Sequence, residues 1–209
     1  MHLNIQKRQN NYNINSFVIF NKIFLKMLRS PFYKLSADKQ KRNLIFLLVF
    51  MVIMVATMRF FDSELKNDIA PNGIVSFELA KELQNTEMIL NSWDDVAKTF
   101  ANLSMKFDFI FLIIYAFFLG LVVHKLNESV WKKGSIYQLG VLICWSILIA
   151  AFFDVIENLA LMQLLKGNLQ QMWSTTAYYF ALMKFALLAL GVVFILVSLV
   201  KQLMNKLVK

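Results

Sequence analysis

The chain has 209 residues, of which 58% are hydrophobic and 17% charged, and its mean hydropathy is +0.56. A charged fraction well below the usual quarter of a soluble domain indicates a membrane protein, and the length suits one compact bundle. The net charge of +9 does not point to nucleic acid, because the basic residues stand beside apolar segments, where they act as topology signals. One cysteine, Cys144, and two distant histidines, His2 and His124, predict no disulfide within the chain, no metal site and no cofactor.

Residues 1–43 form a basic N-terminal segment with two interpretations. Lys22, Lys26 and Arg29 recur at i, i+4 and i+7 on an otherwise apolar stretch. That basic stripe is typical of an interfacial helix on anionic lipid. In the other interpretation the asparagine-rich residues 1–26 are a dispensable extension, and Met27 is an alternative start. The sequence favours neither.

Four apolar stretches approach or exceed the roughly 20 residues that a membrane-spanning helix needs. The predicted spans are residues 44–61, 107–126, 137–165 and 177–200. The first is too long for the apolar region of a signal peptide and lacks a good cleavage site, so we expect it to be retained. The sequence therefore predicts an all-α membrane protein, a four-transmembrane-helix bundle over residues 44–200.

Charge predicts the orientation of the four spans. Basic residues predominate in segment 1–43, in the loop between the second and third spans, and in the tail 201–209, whereas acidic residues predominate in loop 62–106. Cytoplasmic loops carry the excess of lysine and arginine. Both termini are therefore expected in the cytoplasm, with loop 62–106 outside.

Loop 62–106 is expected to fold as a helical cap between the first two spans. Beyond Gly73 its apolar residues recur near helical spacing, which predicts two short amphipathic helices. Ser92, with Asp95 three residues later, resembles a capping box that opens a helix running into the second span. Trp93 is expected either at the membrane interface, where tryptophan is enriched, or as a contributor to the cap. Glu78 either contributes to this cap or is simply solvated.

Several polar residues fall at one depth in the outer half of the predicted bundle. With a rise of about 1.5 Å per residue, Asp154 and Lys184 lie about 6 Å outward of the centres of their spans, and Glu157 about 10 Å. Asp108 begins the second span, and Tyr115 follows two turns later on the same face. The predicted polar layer contains Asp108, Tyr115, Asp154, Glu157, Asn158 and Lys184.

Charges at this depth need partners. A charged side chain near the bilayer centre costs on the order of 2.5–3.5 kcal/mol on insertion scales. Lys184 has apolar turns on both sides and cannot easily reach the interface, so Asp154 is its expected partner. With one lysine against three carboxyl groups, at least one carboxyl is expected to be protonated, or to face water or a bound cation.

The fourth span should present Lys184 to its neighbours rather than to lipid. Small residues recur among the larger ones at spacings of three and four, which is typical of close contacts between membrane helices. This seam contains Ala181, Lys184, Leu188, Gly191, Ile195 and Ser198.

Each polar residue also has a structural interpretation. Asp108, with Lys106, could simply mark the water boundary, and the pair of Asp154 with Lys184 could serve packing alone. His124 is expected at the cytoplasmic interface, and Cys144 is expected to be a small apolar filler.

The ordered segments "IVSFELA", "DFIFLIIY", "DVIENLAL" and "ALMKFALL", with Trp93 after the first, resemble a group of small bacterial four-span integral membrane proteins. The similarity covers about residues 44–200. Its most specific part is the Asp-x-x-Glu-Asn element formed by Asp154, Glu157 and Asn158. The resemblance implies a four-helix bundle with a polar layer in a bacterial inner membrane, and it supplies no substrate or reaction.

Three functions remain open on the sequence alone. The first is binding or transport of a small solute, a proton or a lipid head group at the polar layer, where Lys184 would meet an anionic group. Four spans are few for a transporter, so this function implies a homodimer. The second is an intramembrane enzyme acting on lipids or isoprenoids through paired carboxyls and a lysine. The third is a structural or assembly subunit of a membrane complex.

Overall fold

The computed structural model describes residues 29–207, and this part of the chain is helical and contains no strands. The helices are α1 (Ala37–Ser63), α2 (Ile74–Glu78), α3 (Leu83–Ser92), α4 (Asp95–Leu126), α5 (Ser135–Leu165) and α6 (Gln171–Leu207). A π-helical turn, Asn127–Trp131, continues α4. The predicted extension 1–26, with Lys22 and Lys26, lies outside the described residues.

Four helices, α1, α4 with its π-helical turn, α5 and α6, are long and apolar enough to cross a membrane. The predicted all-α, four-span architecture is therefore confirmed. Each helix extends beyond its apolar run because the backbone hydrogen bonds continue through polar turns that lie outside the bilayer core. The largest difference is in α4, which begins at Asp95 and so includes the end of the predicted loop 62–106.

The bundle centre consists of α4, α5 and α6, while α1 packs chiefly against α4. Met54 is the only buried residue of α1. Most large side chains of α1 are exposed, including Phe46 and Val52 at 60% and 62%. Such an apolar surface suits contact with lipid acyl chains, which would shield the side chains of the first span from water.

The predicted seam on α6 is confirmed by close packing against α5. Ala181, Lys184 and Ser198 are buried in it. At Gly191 an added Cβ would lie 3.1 Å from the Cδ1 atom of Ile147, closer than ordinary contact. Small residues thus allow α6 to approach α5 and carry Lys184 into the bundle.

The two short helices between the first two spans, α2 and α3, form the predicted cap over the ends of α5 and α6. Gly73 precedes α2 with a positive φ of 57°. The Oδ1 atom of Asp62 accepts a hydrogen bond from the backbone of Ile74 at 2.9 Å, so the end of α1 caps α2. A Cβ at Gly73 would collide with the Asp62 carboxylate, which explains why glycine is needed there.

The predicted capping box at Ser92 is wrong. Helix α3 runs through Ser92, whose hydroxyl donates back to the carbonyl of Ile89 at 2.7 Å. The N-cap of α4 is Asp94, which accepts from the backbone N–H of Ala97 at 2.8 Å. Aspartate caps as well as serine does, and the extended Trp93 separates the two helices.

Trp93 is buried inside the cap. Its side chain is 2% exposed and packs edge-on against Phe77. The indole N–H donates to the carbonyl of Leu65 at 2.8 Å. A buried hydrogen bond within the cap therefore outweighs the general preference of tryptophan for interfaces.

His124 lies in the last turn of α4 and is buried, with only 2% of it exposed. The segment before α1 folds back over the end of α4, so that Phe32 lies beside the imidazole and Gln40 Nε2 lies 3.4 Å from its Nε2.

Cys144 is fully buried, as the expected apolar filler would be, and its thiol donates to the carbonyl of Gly120.

Candidate functional site: a polar layer beneath the cap

Lys184 lies at the centre of a buried ionic cluster. Its Nζ is 3.0 Å from Asp154 Oδ1, and it is 2.8 and 2.7 Å from the two carboxylate oxygens of Glu157. Lys184 is 6% exposed, Asp154 2% and Glu157 0%. The pairing of Lys184 with Asp154, predicted from matching depths, is present, and Glu157 joins it one turn closer to the cap.

Glu78 of the cap reaches the same ammonium group, with its Oε2 3.8 Å from Lys184 Nζ. Only 9% of Glu78 is exposed. The cluster therefore joins three elements, namely α2, α5 and α6. Glu78 is not simply solvated, and its role in the cap is to cover the polar layer.

Tyr115 connects α4 to this cluster. Its hydroxyl donates to Asp154 Oδ2 at 2.8 Å, while Asp154 Oδ1 faces Lys184. Both oxygens of Asp154 thus have donors. Tyr115 is 4% exposed and is also packed edge-on against Phe111.

Asp108 and Asn158 form the outer edge of the layer. The amide of Asn158 donates to Asp108 Oδ2 at 2.5 Å. Asn158 is 3% exposed, whereas Asp108 is only half-buried. Because Asp108 stands just inside the cap-side end of the predicted second span, it is the carboxyl of the layer nearest the membrane surface.

Two buried carboxylate oxygens in the cluster have no hydrogen-bond donor. They are Oε2 of Glu78 and Oε2 of Glu157, whose contact with Lys184 is close but lacks hydrogen-bond geometry. Both carboxyl groups lie beside the same ammonium group, since Glu78 Oε2 is 3.8 Å and Glu157 Oε2 is 2.7 Å from Lys184 Nζ. A protonated carboxyl donates a hydrogen bond, which a carboxylate cannot do. A proton on one of the two glutamates would therefore reduce the surplus of negative charge around the lysine.

The environment of Glu78 favours its protonated form. Burial raises the pKa of this carboxyl above its ordinary value of 4.5, and the positive charge of Lys184 offsets that rise only in part. The nearby carboxylate of Asp154 acts in the same direction as burial. Glu78 therefore binds a proton more readily than an exposed glutamate does.

An apolar layer closes the bundle below the cluster. Ile143, Ile147, Ala151 and Phe194 are buried there in one contiguous group. A second apolar group, built from cap and helix ends and including Phe77, Trp93, Leu161 and Leu164, lies on the other side. Buried apolar side chains thus adjoin the polar layer on both sides.

The structure places all six sequence-predicted layer residues in two neighbouring sets, each held together by hydrogen bonds or ion pairs. Lys184 contacts Asp154 and Glu157, and Tyr115 joins through Asp154. Asp108 and Asn158 pair beside them. The sequence alone does not place Glu78 beneath the cap, because that position depends on how a 45-residue loop folds. The sequence does contain one signal, because Glu78 is an acidic residue flanked by apolar residues in "IVSFELA".

No group of three or more histidine, cysteine or acidic side chains is arranged to hold a metal ion within residues 29–207. The ammonium group of Lys184 occupies the point on which the carboxylates converge, the position that a cation would take.

No protein-family model, curated protein or solved structure matches this chain. The architecture that the chain shares with four-span membrane proteins thus rests on its four long apolar helices.

Proposed function

We propose that this protein is a proton-coupled carrier of the membrane, in which the polar layer binds a proton and exchanges it with the cap side. The observation that carries this proposal is the pair of donor-less carboxylate oxygens on Glu78 and Glu157, which lie beside a single lysine. Intramembrane ionisable residues of this kind are typical of proton relays in pumps and transporters.

The charges favour a proton or a cationic solute over an anionic one. Lys184 is within 4 Å of three carboxyl groups, so its positive charge is already matched. Asp108 adds a fourth carboxyl at the edge of the layer. A surplus of negative charge repels an anion and attracts a proton or an ammonium group. We therefore do not propose that Lys184 binds an anionic solute.

The apolar layer below the cluster favours a carrier over a channel. A channel would need a continuous polar path, whereas Ile143, Ile147 and Phe194 separate the cluster from the opposite end of the bundle. A proton could cross only if helices shift and open the layer to that side. Transport by such a carrier is slow and saturable.

The orientation that we propose follows the distribution of charge. The cap and its acidic residues face the outside of a bacterial inner membrane, and both termini face the cytoplasm. The three residues of the Asp-x-x-Glu-Asn element, Asp154, Glu157 and Asn158, all belong to the polar layer. A homodimer would supply the further helices that most carriers contain.

A second function has one observation in its favour. Lys184 joins α2, α5 and α6 through a single ammonium group, so the cluster could serve only to fasten the cap to the bundle. An assembly subunit of this kind would need the cluster for stability and not for transport.

Proton flux into proteoliposomes separates the two functions. We expect an imposed pH gradient to decay faster with the reconstituted protein than in empty liposomes, and Glu157→Gln to abolish this difference while the variant stays folded. Glu82→Gln is the matched control, because Glu82 lies on the cap surface with 58% of its side chain exposed. A folded Glu157→Gln variant with the flux of the unmodified protein would contradict the carrier.

A further inference from the structure

A basic groove lies at the cap-side end of the bundle, between α4 and α5 and apart from the polar layer. Its volume is about 610 Å³, within the range of small-molecule sites. Its polar lining consists of Asp95, Lys98, Thr99, Asn102, Lys106 and Lys166. Three lysines against one aspartate leave the groove with a formal charge of +2.

The lysines of the groove have no acidic partner within the described part of the chain. The ion pairs of residues 29–207 join other lysines, such as Lys66 to Asp62 and Lys81 to Glu82, and include none of Lys98, Lys106 or Lys166. Asp95 lines the same groove, but its carboxylate is not within ion-pair distance of any of these three lysines. Unlike Lys184, these three side chains keep their charge available to an external anion.

The groove lies at the level of the lipid head groups. Lys106 directly precedes the apolar run of the second span, and Lys166 directly follows Leu165, the last residue of α5. The remaining wall is apolar and is formed by Met162 and Leu165 on α5. Lysines at the end of an apolar run, above an apolar wall, match the order of phosphate and acyl chain in a phospholipid.

We propose that this groove binds the phosphate of an anionic phospholipid in the cap-side leaflet. Lys106 and Lys166, one on each wall, contact the phosphate, and Lys98 lies about two turns above Lys106. Thr99 and Asn102 are placed to donate hydrogen bonds to the head group, and Met162 and Leu165 to contact the first part of the acyl chains. The apolar wall is the reason to expect a lipid and not a free phosphate ion.

The test compares two double variants of equal charge. In Lys106→Gln/Lys166→Gln the two groove walls lose their charge, and in Lys66→Gln/Lys81→Gln two exposed cap lysines are lost instead. Binding of phosphatidylglycerol to the detergent-solubilised protein is measured by native mass spectrometry. With about one kcal/mol per lysine near an anionic surface, the groove variant should bind roughly 30-fold more weakly, and the cap variant should be unchanged.

Two further probes test which source supplies the phosphate. Inorganic phosphate at the same concentration should not compete with phosphatidylglycerol, and phosphatidylcholine should bind more weakly than phosphatidylglycerol. Equal binding by the two double variants, or displacement of phosphatidylglycerol by inorganic phosphate, would overturn the proposal. Melting temperatures close to that of the unmodified protein establish that each variant is folded before its binding is compared.

Discussion

Lys184 makes the contacts on which both the stability of the bundle and the proposed function depend. Its ammonium group is the only positive charge within 4 Å of Asp154, Glu157 or Glu78 in the described chain. Removing one member of a buried ion pair leaves an uncompensated charge in a medium that solvates it poorly, which is far more costly than removing the whole pair. The consequences can be measured residue by residue.

Lys184→Met should strongly destabilise the protein. Because three carboxyls lose their counter-charge, we expect a loss of about 3–5 kcal/mol, seen as a lower melting temperature in detergent. Adding Glu157→Gln should recover part of the loss, since one buried negative charge is then removed. The control is Lys206→Met, at the exposed end of the same helix. A melting temperature for Lys184→Met equal to that of the control would exclude a buried ion cluster.

Glu78 should give the folded protein a characteristic dependence on pH. Burial raises the pKa of this carboxyl above 4.5, so the folded state binds the proton more tightly than the unfolded chain does. The free energy of unfolding contributed by this group therefore falls as pH rises above that value. Glu78→Gln cannot titrate, so its melting temperature should fall less than that of the unmodified protein between about pH 5 and pH 8. Parallel melting curves for the two proteins across this range would show that Glu78 does not bind the proton.

At the scale of the elements, the short helix α2 determines whether the polar layer is covered. Its start is defined by the positive φ of Gly73 and by the Asp62 carboxylate that accepts from Ile74. Its last residue is Glu78. A shift at Gly73 would therefore displace the carboxyl that faces Lys184 and Glu157.

Gly73→Ala should destabilise the cap by more than backbone strain alone. Alanine in a left-handed conformation costs about 1–2 kcal/mol. At Gly73 the new Cβ would also collide with Asp62. Gly167→Ala is the matched control, because Gly167 also has a positive φ, 89°, but has open space around it. The loss in free energy of unfolding at Gly73 should clearly exceed the loss at Gly167, and equal losses would mean that Asp62 does not hold α2.

At the scale of the whole molecule, much of the architecture could be predicted because membranes constrain sequence strongly. Long apolar runs identify the four spans, and the rise of a helix gives the depth of each charge, which is why Asp154 and Lys184 were paired correctly. The position of Glu78 depends instead on how a loop folds over the bundle, which no local period records. The burial of Trp93 and His124 has the same origin, since it comes from Leu65 and Phe32, residues distant in sequence.

The proposed orientation can be tested by labelling single cysteines in cells. Cys144 is buried and is replaced by serine, so that introduced cysteines are the only thiols. Glu82→Cys, on the cap, should react with a membrane-impermeant maleimide added to intact cells. Lys133→Cys, between α4 and α5, should react only after the membrane is permeabilised. The reverse pattern would place the cap in the cytoplasm.

The central claim is that Glu78 and Glu157 hold a proton that can be exchanged, and infrared difference spectroscopy of the protein in bilayers tests it most directly. As pH is raised, the unmodified protein should lose the C=O stretching band of a buried protonated carboxyl. That loss should be missing in Glu78→Gln and Glu157→Gln and retained in Glu82→Gln. A band that persists unchanged in both buried-site variants, or no such band in the unmodified protein at any pH, would contradict the account.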